Sequence, residues 1–302
     1  KYSIFYFLFF SISILVVSIG LYKFNYFVDI FFTIISSTIL FTVTIYFRFV
    51  DENNIAIENE KKQLVLKQER EIAGEVQKKL FPAAKEKNNY IVAKNVPARD
   101  VSGDYFDYLK INDNEIYFTL ADVSGKGVKA GMLMANASAV FRSMARLEKP
   151  VSTIARFVNN QVNESSYKGM FITAVIGKLD IAKQEIEYIN HGHEPVMMMT
   201  KDFNFEYKEA TLPPLGLMKM QNDNALKTTT ESISNKVVLI YTDGVTEGYL
   251  ENGSELRVDG LEKEIKKLNT LEPIKIIDNI CEILTRSGKK LRDDITCLGI
   301  SL

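Results

Sequence analysis

Ile4 to Leu21 is a run of 18 residues without a charge, and Tyr26 to Phe47 is a second run of 22 in which only Asp29 ionises. At about 1.5 Å of rise per residue the first reaches about 27 Å as a helix, close to the hydrocarbon thickness of a bilayer. Tyr22-Lys23-Phe24-Asn25 forms a short polar break between them. The pattern predicts a transmembrane hairpin over 1–50, with spans at about 4–21 and 26–47. A buried hairpin in a protein core is the alternative. Tyr22, Tyr26 and Tyr46 suit interfacial belts, and Asp29 lies near enough to a span end to reach headgroups. A cleaved signal peptide fits poorly, because no small-residue cleavage site follows the first run and a second run comes next. Positive charges are few, but Lys1 and Arg48 at the outer ends favour both termini inside, which places 51–302 in the cytoplasm.

Residues 1–50 hold 34 apolar or aromatic residues and four charges, whereas the remaining 252 residues hold 71 charges. One small module suits lipid and one larger module suits water. This excludes a disordered chain and argues against a wholly soluble protein or a multi-span transporter. The net charge of -1 gives no electrostatic case for nucleic acid. Cys281 and Cys297 are too few for a disulfide framework, and a reducing compartment favours two small buried hydrophobes over one bridge. The chain begins at Lys1 without Met and reads as part of a longer protein.

Asp51 to Leu80 is rich in Glu, Lys and Gln, a helical composition. Leu66, Ala73 and Leu80 repeat at seven with Val76 between them. That is too short for a confident coiled coil, so 51–82 reads either as a signalling helix paired with a second copy or as a solvated spacer. Phe81-Pro82 should stop it. From residue 83 onward short strands mix with helices, without a regular βαβ rhythm. Strands are expected at 90–96, 115–121, 171–179, 185–188, 196–199, 236–241 and 295–302. Helices are expected at 132–147, 153–162, 258–268 and 273–285. The class is α+β with a mostly antiparallel sheet.

Acidic residues sit at the ends of these strands beside turn residues: Asp104 in VSGDYFDY, Asp122 in ADVSGKG, Asp243 in YTDGVTEG, and Asp293-Asp294 in LRDDIT. A strand end fixes a carboxylate, and a neighbouring glycine lets backbone carbonyls and water approach a hard cation. Gathered carboxylates repel unless a cation neutralises them, and oxygen ligands favour Mg²⁺ or Mn²⁺ over Zn²⁺. A single Asp-Gly, however, is ordinarily just a turn.

The ordered set is more specific. VSGDYFDY, ADVSGKGVKAGMLMA, FITAVIGKLD, NHGHEP, PPLGL, YTDGVTEG and DDIT, preceded by REIAGEVQKKLFP, resemble the bacterial PPM-type serine phosphatases of the SpoIIE/RsbU kind over roughly 70–302. The resemblance implies a PPM-type antiparallel β-sandwich flanked by helix pairs, with two Mn²⁺ or Mg²⁺ ions at one end. It also implies hydrolysis of phosphoserine or phosphothreonine on a protein by metal-activated hydroxide. Carried over by motif, Asp122 bridges both ions and the Val123 carbonyl binds one. Asp243 and Asp293 bind the other ion, Asp104 holds metal-bound water, and Asp294 either joins the ligands or orients its neighbour. Gly103, Gly125, Gly127 and Gly244 shape the metal loops. The usual partners are STAS-type anti-sigma antagonists.

Some positions depart from the family's pattern. Ser124 stands where eukaryotic relatives carry His, His191 replaces an Ala before the Gly-His element, Ser102 replaces a Gly, and Val196 replaces a frequent Pro. His191 and His193 read as loop histidines ahead of catalytic ones, Lys126 as a phosphate contact or a solvated lysine, and Met197–Met199 as strand core. A scaffold that binds the same partner without turnover is the competing function, and a nucleotide phosphodiesterase is a weaker one. A histidine kinase fails for want of an ATP-binding glycine box.

Overall fold

The computed structural model describes residues 9, 12–13, 15–17, 19–20, 22, 30–82, 89–167, 169–223, 226–286 and 291–302. Residues 23–25 of the predicted break and most of the first span lie outside these. The described residues between 9 and 22 are helical.

Helix α1 runs from Ile30 to Lys78, without interruption between the second predicted span and the connector. From Ile34 onward it is long and apolar enough to cross a membrane, by length and composition. Its hydroxyls satisfy themselves: Thr38 donates to the Ile34 carbonyl at 2.8 Å, Thr42 to Thr38 at 2.8 Å and Thr44 to Leu40 at 2.7 Å. Such back-bonding removes the cost of carrying a hydroxyl on an apolar helix. Further along, Glu58 and Lys62 pair one turn apart at 2.7 Å.

Glu69–Leu302 forms one compact unit. Among the described residues its ten strands make two five-stranded antiparallel sheets. One sheet has the order β1 (Ile91–Val96), β10 (Ile295–Ile300), β9 (Lys236–Tyr241), β6 (Val196–Thr200), β7 (Phe205–Lys208). The other has β2 (Tyr105–Lys110), β3 (Glu115–Val123), β4 (Ile172–Asp180), β5 (Glu185–His191), β8 (Thr229–Ser232). Helices α2 (Val128–Arg146) and α3 (Val151–Ser165) pack on the second sheet. A one-turn α4 (Asp243–Thr246) follows β9, and α5 (Arg257–Leu268) and α6 (Pro273–Thr285) pack on the first sheet.

The period-two pattern of the strands builds three hydrophobic layers. Ile116, Phe118 and Leu120 of β3 meet Val238, Ile240, Leu298 and Ile300 between the sheets. Tyr117, Ala121 and Val123 turn to α2 and α3. Val237, Leu239 and Tyr241 turn to α5 and α6. Strands β9 and β10 are therefore buried on both faces, which explains why KVVLIY reads as a continuous apolar run rather than an alternation. The expected sandwich flanked by helix pairs is what forms. Met197, Met198 and Met199 are core, and both cysteines are free and buried.

The structure adds three strands to the sequence reading. β7 and β8 are short, with four residues each, and β2 carries a buried acid, Asp107, that masks its strand character. Helix α2 begins at Val128 and α3 at Val151, a few residues before their apolar periodicity becomes clear.

Candidate active site

Antiparallel pairing decides where the acids meet. Tyr105 pairs with Ala121, so Asp104, just before β2, and Asp122, near the end of β3, lie at one end of their sheet. Cys297 pairs with Tyr241, so Asp243, just after β9, and Asp293-Asp294, just before β10, lie at one end of the other. Threonines join the two ends. Thr242 Oγ1 donates to Asp104 Oδ2 at 2.8 Å, and Thr296 Oγ1 donates to the same oxygen. The carboxylates of both sheets thus share one pole of the sandwich.

The electrostatics are those of concentrated negative charge. Burial, then the charges of Asp243 and Asp293, push the Asp122 carboxyl up to about 6. Burial and Asp122 hold Asp104 well above the usual carboxylate range. Burial and Asp293 raise Asp243. Lys126 supplies a counter-charge, with its ammonium 2.6 Å from Asp293 Oδ2 and 3.1 Å from the Arg292 carbonyl. Among the described residues no three acidic, histidine or cysteine side chains are placed closely enough to hold a metal ion between them as they stand. In donor chemistry the set still fits a hard divalent cation: the donors are oxygens, and burial together with mutual repulsion raises their carboxyl pKa values, which a cation would offset.

Asp294 has a different placement from its neighbour. Its Oδ1 accepts the Ala98 amide at 2.7 Å, and its Oδ2 accepts the Gly103 amide at 2.7 Å and the Ser102 hydroxyl at 2.9 Å. Both oxygens are engaged in bracing the 98–103 loop. Ser102, a departure from the family's glycine, uses its hydroxyl three ways. It donates to Asp294 and accepts from the Asp104 amide at 3.1 Å and from Asn95 Nδ2 at 3.2 Å.

Close approach explains two of the glycines. A Cβ on Gly244 would lie 1.9 Å from the Asp294 carbonyl oxygen, and one on Gly103 would lie 3.3 Å from the Val123 carbonyl oxygen. Gly125 and Gly127 hold φ of 99° and 80°, values that favour glycine, and Gly127 with ψ of -156° sits where other residues are strained by about 1–3 kcal/mol. The Val123 carbonyl therefore faces the Gly103 loop, on the same side as Asp122.

Neither histidine joins the acids. His193 Nδ1 lies 2.9 Å from Thr173 Oγ1, and the His193 amide donates to Asn190 Oδ1 at 2.8 Å. His191 Nδ1 lies 3.0 Å from the Pro213 carbonyl. Burial depresses His191 and brings His193 down to about 4. Ser124 is also occupied, its hydroxyl accepting the Phe171 amide at 2.8 Å.

Two supports were not read from sequence. Gln77, near the end of α1, grips the Ser102 backbone with both ends of its amide. Behind the site, Asp107 is fully buried on β2. It takes a bidentate pair from Arg142 of α2 at 2.6 and 2.9 Å and a bond from the Tyr105 hydroxyl. A Gln among Glu and Lys, or an Asp in a strand, carries no local signal. The buried partner alone marks each of them.

A sequence model of the SpoIIE family, described as stage II sporulation protein E, matches residues 112–302. The chain belongs to the SpoIIE family. It is 30% identical over 244 residues to the phosphoserine phosphatase RsbU of Bacillus subtilis (strain 168), covering 78% of this chain and 70% of RsbU. It is 26% identical over 151 residues to the phosphoserine phosphatase RsbP of the same organism, covering 48% of this chain and 37% of RsbP. Among solved structures, the SiaA-PP2C domain of Pseudomonas aeruginosa superposes with a TM-score of 0.67 at 14% identity, over 80% of this chain and 97% of that domain. At that identity the likeness is one of fold. This SpoIIE-family chain is an enzyme of the protein phosphatase class.

Proposed function

We propose that this chain is a membrane-tethered, metal-dependent phosphatase that removes phosphate from serine on a regulatory protein, an anti-sigma antagonist of STAS type. The observation that carries the reading is the meeting of Asp104, Asp122, Asp243 and Asp293 at one pole of the two sheets, with raised carboxyl pKa values on the first three. Tethering rests on the apolar stretch of α1.

Asp122, the Val123 carbonyl, Asp243 and Asp293 are the groups proposed to hold two Mn²⁺ or Mg²⁺ ions, with Asp104 behind them. Bound there, such ions supply charge stabilisation and a nucleophile at neutral pH. The chain's own groups do the rest. Thr242 and Thr296 fix the rotamer of Asp104. Asp294 and Gln77 hold the loop that carries it. His193, neutral at pH 7, does not protonate the seryl leaving group.

A second reading is a scaffold that binds the phosphoprotein without turnover. The Lys126–Asp293 ion pair favours it, since the lysine engages a proposed ligand. Phosphate release from a phosphoserine peptide by the full chain in phosphatidylcholine nanodiscs separates the two readings. Release that depends on Mn²⁺ or Mg²⁺ and stops with EDTA supports the phosphatase. Peptide binding with no release under any metal supports the scaffold.

A further inference from the structure

Beside the carboxylates lies a cleft of about 750 Å³, bordered by the end of α1, the 98–101 loop and the start of α2. That volume is in the range of clefts that seat ligands. Its charged lining is one-sided: Arg70, Arg99, Lys126 and Lys129 against Asp100 alone. The chain as a whole is nearly neutral, so this is a local concentration of positive charge. Lys126 is committed to Asp293. Lys129 lies 4.6 Å from the centre of the Tyr167 ring and has no acidic partner among the described residues. Among the described residues neither Arg70 nor Arg99 has an acidic partner.

We infer that this cleft is the docking groove for an anionic segment next to the phosphoserine of the substrate protein. The inference rests on the phosphatase reading and deepens it. Geometry sets the direction. Lys126 belongs both to the cleft wall and to the rim of the carboxylate cluster, through its 2.6 Å contact with Asp293. A substrate whose phosphate reaches Asp122 runs its neighbouring residues past Lys126 and into the cleft. Cations along that path attract acidic residues and repel basic ones, so they set specificity as well as encounter rate. The gathered aspartates would otherwise repel an acidic segment, and the groove offsets that repulsion over the residues beside the phosphate.

The test uses the full chain in phosphatidylcholine nanodiscs with Mn²⁺ and two phosphoserine peptides of equal length, one flanked by Glu and one by Lys. The readout is the ratio of their kcat/KM values, which a misfolded fraction does not alter. The expected ratio favours the acidic peptide by about tenfold, as a few exposed charge contacts would give. It shrinks as ionic strength rises from about 20 to about 300 mM. The double variant Arg99→Glu, Lys129→Glu brings it to one or below, chiefly through KM. A wild-type ratio near one, or a ratio the double variant leaves intact, overturns the inference. Should neither peptide be hydrolysed, anisotropy of the labelled acidic peptide decides separately from turnover: salt-sensitive binding lost in the double variant upholds the groove, and no binding ends it. Loss of the acidic preference when phosphatidylglycerol is added to the discs would assign the cations to the bilayer surface and also overturn it.

Discussion

The side-chain amide of Gln77 brackets the backbone of Ser102, donating to its carbonyl at 2.7 Å and accepting from its N–H at 2.9 Å. Gln77 is buried, so its loss strands two backbone groups away from water, at about 1–3 kcal/mol each. The Ser102 hydroxyl and the Gly103 amide are in turn bonded to Asp294. Gln77→Ala should therefore loosen the loop carrying Asp104. The Mn²⁺ concentration for half-maximal phosphate release should rise about tenfold, within the range for groups that orient metal ligands. Gln77→Glu, which keeps the acceptor, should rescue part of this. Unchanged half-saturation in Gln77→Ala would show that the clamp does not support the site.

Arg142, partly exposed, forms a bidentate pair with the fully buried Asp107 behind the carboxylate cluster. Arg142→Ala leaves a buried carboxylate unpaired, at a cost of about 3–5 kcal/mol. Burial already raises Asp107 in spite of its partner. The double variant Asp107→Asn, Arg142→Leu removes both charges and should recover much of the lost melting temperature. Equal melting temperatures for the two variants would contradict the pairing as the source of the loss.

Much of this was legible in the sequence, for identifiable reasons. Strand alternation in EIYFTLA and the acid at the end of each strand are local signals, and they located β3, β9, β10 and the aspartates they carry. The resemblance then supplied roles that spacing alone left open. Long-range pairing was not legible. Gln77 and Ser102 are 25 residues apart, and Thr296 and Asp104 are 192 apart. No periodicity reports a contact made across two sheets. Asp107 also hid β2, because a charged residue inside a strand reads as a turn until its arginine is seen.

Two loop glycines should behave differently. Gly244→Ala places a Cβ 1.9 Å from the Asp294 carbonyl oxygen, so the backbone around Asp293 must move. Gly127→Ala meets no atom within 4 Å and carries only the strain of its backbone, φ 80° and ψ -156°, about 1–3 kcal/mol. Phosphate release should be nearly lost in the first and largely kept in the second. Equal losses would contradict the close approach as the reason for Gly244.

The pH dependence has a definite sign. His193 has a folded pKa of about 4 against about 6.5 unfolded, so its neutral burial favours the fold above 6.5. That contribution is lost as pH falls from 6.5 towards 4. With two histidines in the chain, carbon-13 labelling resolves each, and His191→Asn assigns them. A His193 resonance titrating near 6.5 would contradict the burial. Asp122, raised to about 6, should in addition make Mn²⁺ affinity fall as pH drops below 6, because its protonated form is a poor ligand.

The central claim is that carboxylates from both sheets form one metal-dependent phosphatase site. Phosphate release from a phosphoserine peptide by the full chain, with Mn²⁺ and with EDTA, beside Asp122→Asn, tests it most directly. The expected result is release that EDTA abolishes and that Asp122→Asn lowers by more than about a hundredfold, beyond the effect of groups that merely orient ligands. Release that survives EDTA, or that Asp122→Asn leaves within a few-fold of the unaltered chain, would contradict it.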